Sequence, residues 1–245
     1  MGCSVIHYHG TPISGDGIDA AKFLKGRHAL VSFAYQQSMP IVANACQSFV
    51  LDNGAFSAWT KGFTMDVKGY IYWVEKWHKH PGFDWALIPD VIDGDENAND
   101  ELIDRWPKSM RGVPVWHLHE SMERLQRLAS EWSVVAIGSS GQWKSPGTDA
   151  WWARMALVMD AVCDDLGRPM CRLHGLRMLD PKIFSELPLS SADSTNAGVN
   201  AGSIKRFGMY PPPTAGQRAE VIASRIEASN SSAVWVKSDQ IEMAM

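Results

Sequence analysis

The sequence predicts an α/β protein that folds as a single-domain (β/α)8 TIM barrel. Three observations support this prediction: short apolar or β-branched runs alternate with longer amphipathic stretches, eight of each can be counted, and the chain has 245 residues. About 250 residues is the usual size of such a barrel. A doubly wound open sheet is the alternative, but no G-x-G-x-x-G follows the first predicted strand to support a dinucleotide site.

The strands and helices are predicted in order along the chain. The strands are Val5–His9, Ala29–Tyr35, Phe49–Asp52, Trp85–Asp90, Pro114–His119, Val134–Gly138, Arg172–Gly175 and Leu189–Ser194. The helices are Ile18–Lys25, Met39–Gln47, Met65–His80, Asn97–Met110, Ser121–Trp132, Asp149–Leu166, Pro181–Leu187 and Ala215–Ser229. Ser121 and Asp149 can cap their helices, and Asp180 precedes a proline at a first helical position. We expect the barrel domain to occupy residues 1–229 and a loose tail to occupy residues 230–245.

Composition limits the class of protein. Hydrophobic residues make up 45% of the chain and charged residues 20%, which suffices for one sizeable core and excludes a disordered chain. The net charge of −4 argues against a protein that coats nucleic acid through bulk positive charge. No apolar run approaches the roughly 18 residues of a membrane span, and the start of the chain lacks a signal-peptide pattern. A cytoplasmic protein without a membrane partner is expected.

Polar residues close most of the predicted strands. In a barrel of this type the reactive groups stand at the carboxyl ends of the strands. Asp52 ends the third predicted strand, Asp90 the fourth, and Asp193 lies near the end of the eighth. Three carboxylates converging there would raise one another's pKa, and they could supply the acid, base and nucleophile for cleavage of a C–N or C–O glycosidic bond.

The strand ends resemble those of a known family. The run V-L-D-N-G-A-F at residues 50–56 is similar to the D-S-G-G-F/Y signature of tRNA-guanine transglycosylases. Further matches to that family follow in the same order along the chain: Asp90, Val115 to His119, Ala136 to Gly138, Leu173 to Gly175, and Ser191 to Ser194. The resemblance covers residues 48 to 196 and rests on short motifs.

One departure from that family concerns zinc. The tRNA enzymes carry a C-x-C-x-x-C…H zinc site after the last strand, whereas this chain has no cysteine after Cys171 and therefore no zinc subdomain. The chain is also shorter than those enzymes. With His9 to Pro12 (H-G-T-P) near its start, it looks more like the compact phage and bacterial DpdA-type branch, which exchanges guanine in DNA for a 7-deazaguanine base. For a phage-encoded protein the compartment would be the host cytoplasm.

The resemblance implies a role for each matched residue. Asp193 would attack C1′ of a deoxyguanosine and displace guanine, leaving a covalent sugar–enzyme intermediate, and Asp52 would serve as general acid and base. Asp90 would accept hydrogen bonds from N1–H and the exocyclic amine of guanine. The other residues expected to bind the base are Asn53, Phe56 as a stacking face, His119, Gly138 and Ser139 through backbone N–H groups, His174 and His9. No cofactor and no metal are implied.

The implied partners are DNA and a free 7-deazaguanine base such as preQ0, with a homodimer left open as the assembly. Because a duplex hides its bases, the target nucleotide must be flipped out or presented in single-stranded DNA. Backbone phosphates would then need cations near the strand ends. The cations predicted to surround the loops of the last three strands are Lys144, Arg172, Arg177, Lys205 and Arg206.

Other functions are open at this stage. The histidines of the strand ends, His7, His9, His117 and His119, together with Asp193, resemble the metal centre of an amidohydrolase-like hydrolase. A tRNA-guanine transglycosylase is a second alternative. A hydrolytic glycosidase using the same carboxylates, or a non-catalytic nucleic-acid binder on a barrel scaffold, would also fit the sequence.

Overall fold

The computed structural model describes residues 5–12 and 17–237, and it confirms the (β/α)8 barrel. The strands, all parallel, are β1 Ile6–Gly10, β2 His28–Ser32, β3 Ser48–Asp52, β4 Phe83–Leu87, β5 Gly112–Val113, β6 Val115–His117, β7 Val134–Gly138, β8 Arg172–Gly175 and β9 Ser191–Ser194. The helices are α1 Gly17–Leu24, α2 Met39–Ala45, α3 Ala55–Lys61, α4 Val67–Trp77, α5 Glu96–Asp104, α6 Met122–Glu131, α7 Asp149–Val162, α8 Pro181–Phe184, α9 Asn196–Asn200 and α10 Ala215–Glu227.

The sheet order is β5-β4-β3-β2-β1-β9-β8-β7-β6, and its two ends are joined by Pro114 alone. The two halves of the predicted fifth strand thus pair on opposite sides, β5 with β4 and β6 with β7. On one side of the junction Ile88 N–H donates to the Val113 carbonyl, and on the other Ala136 N–H donates to the Pro114 carbonyl. The sheet therefore closes into a barrel with eight strand positions, and β5 and β6 together occupy one of them.

Side chains alternate between the barrel interior and the helices outside, as strand geometry requires. The interior is filled by Tyr8, Leu30, Val50, Trp85, Leu87, Val113, Val115, Val134 and Ala136. The Trp85 ring lies edge-on to Tyr8, at a centroid distance of 5.8 Å, and to His174, at 4.9 Å. These aromatic residues fill the barrel interior below the carboxyl ends of the strands, so a ligand that enters from that end would bind above them.

Two helices were not predicted, and both begin at strand ends. Helix α3 starts three residues after β3, where Gly54 has the left-handed φ of 82° that glycine adopts easily. Helix α9 starts two residues after β9. Short turns between strand and helix gave no loop signal long enough to reveal them. The predicted second strand is also too long, because a 3-10 helix begins at Phe33.

Helix caps follow local chemistry. Ser121 accepts a hydrogen bond from Arg124 N–H at the start of α6, and Asp180 caps α8 ahead of its proline, as predicted. The cap of α7 is Thr148 rather than Asp149, because the Thr148 side chain accepts from Trp151 N–H and Asp149 is the first helical residue. None of the helices within residues 5–12 and 17–237 is long and apolar enough to cross a membrane.

The prediction of a loose tail is wrong for residues 230–237. Val5 N–H donates to Asn230 Oδ1 at 2.7 Å, which ties this segment to the start of β1. Trp235 donates its backbone N–H to the Gly167 carbonyl and its indole N–H to Asp160 Oδ1, each at 2.8 Å. The segment therefore packs across the amino-terminal end of the barrel. Residues 238–245 of the predicted tail lie outside the described residues.

Candidate functional site

Three carboxylates meet inside the mouth, the opening at the carboxyl ends of the strands. Asp52 is the last residue of β3 and shares the inward face with Val50, whereas Asp193 of β9 shares it with Ser191. Asp90 follows β4. The charges of Asp193 and Asp90 both act on Asp52, so the three carboxylates lie near one another at this end of the barrel.

The surroundings of Asp52 change the pH at which it ionises. Burial raises the pKa of Asp52 from 3.8 to about 7, and the charges of Asp193 and Asp90 add to that increase. Its Oδ2 accepts a hydrogen bond from Gly54 N–H at 3.2 Å, which opposes the increase without cancelling it. A carboxyl group that titrates near neutral pH can both donate and accept a proton in one reaction cycle.

Asp193 is held through one of its two oxygens. Oδ1 accepts a hydrogen bond from Arg177 N–H at 3.1 Å and lies 3.3 Å from His174 Nε2. His174 is itself fixed by Ser191, whose Oγ is 2.8 Å from Nδ1. No described residue hydrogen-bonds to Asp193 Oδ2. This arrangement fixes the carboxylate while one oxygen remains available to a ligand in the mouth.

Asp90 is held through both of its oxygens. Asn53 donates its side-chain N–H to Oδ1 at 2.7 Å, and His117 Nε2 lies 2.8 Å from Oδ2. Asn53 is oriented in turn by the Ile88 carbonyl and by Ala55 N–H. Each carboxylate oxygen has a second lone pair, so Asp90 can still accept two hydrogen bonds from a ligand. The fixed orientation suits recognition of a ligand edge with two donors.

A buried ion pair supports this part of the mouth from behind. Glu120 Oε2 accepts from His117 N–H at 2.9 Å and from the Arg124 guanidinium at 2.6 Å. Gly138 of the neighbouring strand gives His117 its space, because a Cβ at Gly138 would lie 2.8 Å from His117 Nδ1. The ring that orients Asp90 therefore depends on Gly138 and Glu120 for its position.

The rim of the mouth carries three more of the predicted base-binding residues, Phe56, His119 and Ser139. Phe56 in the first turn of α3 is 42% exposed, and Arg177 Cζ lies 4.1 Å from its ring centroid. The His119 ring stacks on His117 at 5.8 Å, with Nδ1 on Ser140 Oγ and Nε2 on the Gly94 carbonyl. The side chain of Ser139 turns away, since its Oγ accepts from Trp151 Nε1–H. Only the backbone of Ser139 can therefore face a ligand.

Two predicted site residues lie elsewhere. His9 points out of the barrel, where its Nε2 is 2.8 Å from Glu227 Oε1 of α10 and its ring packs on Phe23, so it cannot contact a base in the mouth. The cause is strand alternation: Tyr8 fills the interior, so its neighbours in β1 face the helices. Arg172 is the first residue of β8 and lies at the amino-terminal end, away from the other predicted cations.

The remaining predicted phosphate-binding residues lie in segments that follow the carboxyl ends of the strands. Arg177 follows β8, and Lys144, Lys205 and Arg206 lie in the segments after β7 and β9. All four are exposed. Within the described residues, none of them forms an ion pair with a carboxylate. Their charge is therefore available to an anionic ligand outside the mouth.

The metal-centre alternative does not fit the geometry. His7 points outward like His9, with its Nε2 on the Ser229 carbonyl and its ring against Phe184. In the part of the chain that the structure describes, no group of three or more histidine, cysteine, aspartate or glutamate side chains is arranged to hold a metal ion. The four strand-end histidines are thus divided between the two sides of the sheet.

Several residues of the site were not predicted. Ser191, Ser140 and Glu120 position His174, His119 and His117, respectively, through the hydrogen bonds described above. For Ser191 a signal was present, because it lies two positions before Asp193 and must share its face of β9. The hydrogen bond from Arg177 N–H to Asp193 could not be predicted from the sequence. It depends on a left-handed φ of 58° at Arg177, which no residue type nearby indicates.

Two cavities open at the opposite end of the barrel. One of about 970 Å³ is lined in part by Trp132, Arg168, Arg172 and Ser232, and one of about 330 Å³ lies beside His28 and Glu227. Neither contains a residue of the mouth. We place the candidate site at the mouth because the perturbed carboxylate and its polar partners lie there.

No protein-family model matches the sequence, and no curated protein matches it significantly. Two solved structures have a similar fold. A chain of the tryptophan synthase a2b2 complex from the hyperthermophile Pyrococcus furiosus is 12% identical over 92% of this chain and 97% of that one, with a TM-score of 0.50. A protein from Coccidioides immitis described as a fructose-1,6-biphosphate aldolase is 14% identical over 93% of this chain and 91% of that one, with a TM-score of 0.51. Identities this low show the fold alone.

Proposed function

We propose that this barrel is a DNA-guanine transglycosylase, a pentosyltransferase that exchanges guanine in DNA for a 7-deazaguanine base such as preQ0. The observation that carries the proposal is the set of three carboxylates in the mouth, with Asp52 titrating near pH 7 between Asp193 and Asp90. Exchange of a base requires one group that both gives and takes a proton, and a second that bonds to the sugar. Asp52 and Asp193 have the environments those two roles need.

In the first half of the reaction Asp193 Oδ2 attacks C1′ of the target deoxyguanosine. The C1′–N9 bond breaks with its electron pair going to guanine, while neutral Asp52 gives its proton to the departing base. His174 and Arg177 N–H keep Oδ1 in place during the attack. The product is a sugar ester of Asp193, with Asp52 as a carboxylate.

The second half reverses these roles. The incoming 7-deazaguanine gives its N9 proton to the Asp52 carboxylate and attacks C1′, and the bond from C1′ to Asp193 breaks. Asp90, held by Asn53 and His117, accepts the N1–H and amine protons that distinguish guanine from adenine. Two displacements on the same carbon retain the sugar configuration.

The test is base exchange in a defined oligonucleotide. Purified protein is incubated with guanine-containing DNA, single-stranded or duplex, and with isotope-labelled guanine or preQ0, followed by nucleoside mass spectrometry. We expect label in the DNA with the wild type. Asp193→Ala should abolish both exchange and the covalent DNA adduct, while Asp165→Asn, a change at an exposed loop residue outside the mouth, should retain them.

Other outcomes are equally decisive. Release of guanine without incorporation would identify a hydrolase, and label entering tRNA but not DNA would identify a tRNA enzyme. Retention of exchange by Asp193→Ala would refute the assignment of the nucleophile. Absence of exchange with every base and nucleic acid would refute the proposal.

A further inference from the structure

A single side-chain contact bridges the mouth from opposite walls. Phe56 follows β3 and Arg177 follows β8. Three strand positions separate β3 from β8 in either direction around the barrel. The side chains nevertheless meet, with the Arg177 Cζ 4.1 Å from the Phe56 ring centroid. Asp52 ends β3, and Asp193 lies in β9, which pairs with β8, so the contact joins the two sides of the mouth that carry these carboxylates.

The Arg177 backbone is anchored while its side chain crosses the mouth. Within the described residues it is the one non-glycine residue with a positive φ, at 58°. Its N–H donates to Asp193 Oδ1 at 3.1 Å. Left-handed backbone at a non-glycine residue is uncommon, and it persists where surrounding contacts over-determine it, often at ligand clamps. The bridging contact and the candidate nucleophile are therefore linked through one residue.

The spacing leaves no room for a third layer. Stacked planar groups lie about 3.5–4 Å apart, so a ring inserted between Phe56 and the guanidinium would need nearly twice the observed 4.1 Å. A flat ligand that stacks on the face of Phe56 that Arg177 covers must displace the guanidinium. Cation–π contacts at exposed sites are weak, and Phe56 is 42% exposed, so this displacement is easy.

We propose that Arg177 and Phe56 form a gate over the carboxylates, and that a flat purine-like heterocycle enters by replacing the Arg177 guanidinium on the Phe56 ring. The choice of a purine-like ligand rests on the proposed function, whereas the closed gate rests on the contact itself. Arg177 is a positioning residue that competes with the base. Once displaced, its guanidinium joins the cations outside the mouth, where a nucleotide phosphate would lie.

The closed gate can be tested without any enzymatic assay. Arginine modification by phenylglyoxal is followed by peptide mass spectrometry at Arg177, with the exposed Arg168 at the other end of the barrel as internal reference. Phe56→Leu should raise the relative rate at Arg177 about two- to fivefold. Phe63→Leu, which removes an exposed aromatic ring just after α3, is the matched control and should leave the rate unchanged. An unchanged rate in Phe56→Leu, or the same increase in both variants, would overturn the gate.

The displacement is tested by adding the free base. Guanine or preQ0 should raise the Arg177 rate of the wild type towards that of Phe56→Leu and should have no further effect in that variant. A slower rate would mean that the base stacks outside a closed gate, and an unchanged rate would mean that it does not reach Phe56. Either result contradicts the proposal.

A second variant removes the competitor and keeps the backbone. Arg177→Gly retains the N–H to Asp193 and favours the positive φ, so the fold should persist. Equilibrium dialysis with labelled guanine should show binding about two- to fivefold tighter than in the wild type, with Arg177→Lys intermediate. Weaker binding in Arg177→Gly would overturn the gate. If base exchange fails while the phenylglyoxal rates at Arg177 change as expected, the transglycosylase proposal is refuted and the gate is retained.

Discussion

The raised pKa of Asp52 makes a prediction that does not depend on the proposed reaction. The folded protein holds a proton on Asp52 up to about pH 7, whereas the unfolded chain releases it near pH 3.8. The folded state therefore binds more protons between these values, and its stability falls as the pH rises through that window. The full difference corresponds to roughly 4 kcal/mol at 1.36 kcal/mol for each pH unit.

Asp52→Asn removes this titration and keeps the shape of the side chain. Between pH 5 and pH 8 the wild type should lose about 2–3 kcal/mol of unfolding free energy relative to the variant, because most of the ionisation in the folded state falls in that interval. Urea unfolding of both proteins at the two pH values measures the difference. Asp165→Asn controls for the loss of one negative charge. A wild-type-to-variant difference that is the same at pH 5 and pH 8 would refute the burial argument.

Three further predictions concern the supports of the fold and the site. Gly138→Ala should cost about 1–3 kcal/mol and abolish base exchange, because its Cβ would displace the His117 ring, as urea unfolding and the exchange assay would show. Glu227→Gln should cost roughly 2–3 kcal/mol at pH 7. Although burial acts to raise the pKa of Glu227, hydrogen bonds from His9 and Arg27 lower it from 4.5 to about 2, so the deficit should shrink as the pH falls from 4.5 towards 2. Trp235→Ala should cost about 1–3 kcal/mol and speed proteolysis after residue 229, and unchanged cleavage would refute the docked segment.

The sequence predicts the barrel well because its strand signals are local. Alternating strand and helix patterns identify each strand of the barrel. The carboxyl ends of parallel strands lie at one end of a barrel, and this rule alone predicted that Asp52, Asp90 and Asp193 lie close together. The direction of a side chain within a strand is harder to predict. In β1 the alternation of Ile6 and Tyr8 with His7 and His9 does not say which pair faces inward. His9 was therefore expected to bind the base, and His7 was included in the metal-centre alternative.

Tertiary contacts account for the other differences. The bridge from Phe56 to Arg177 joins residues far apart in the chain, and no periodicity indicates it. The docking of Trp235 likewise depends on Asp160 and Gly167 at the other end of the barrel. The polar composition of the segment around residue 230 suggested a tail, but its bonds come from groups that folding brings near.

The three carboxylates also determine which ligand charges the mouth would favour, because they would repel an anionic group. A nucleotide pushed phosphate-first into the mouth would meet Asp90, Asp193 and the ionised fraction of Asp52, and the repulsion would grow in this partly desolvated space. A neutral heterocycle meets no such barrier, and the exposed cations Lys144, Lys205 and Arg206 lie outside the mouth. The carboxylates of the proposed reaction would thus oppose entry of a free nucleotide through its phosphate, and a nucleoside in a strand would enter base-first with its phosphates left at the surface.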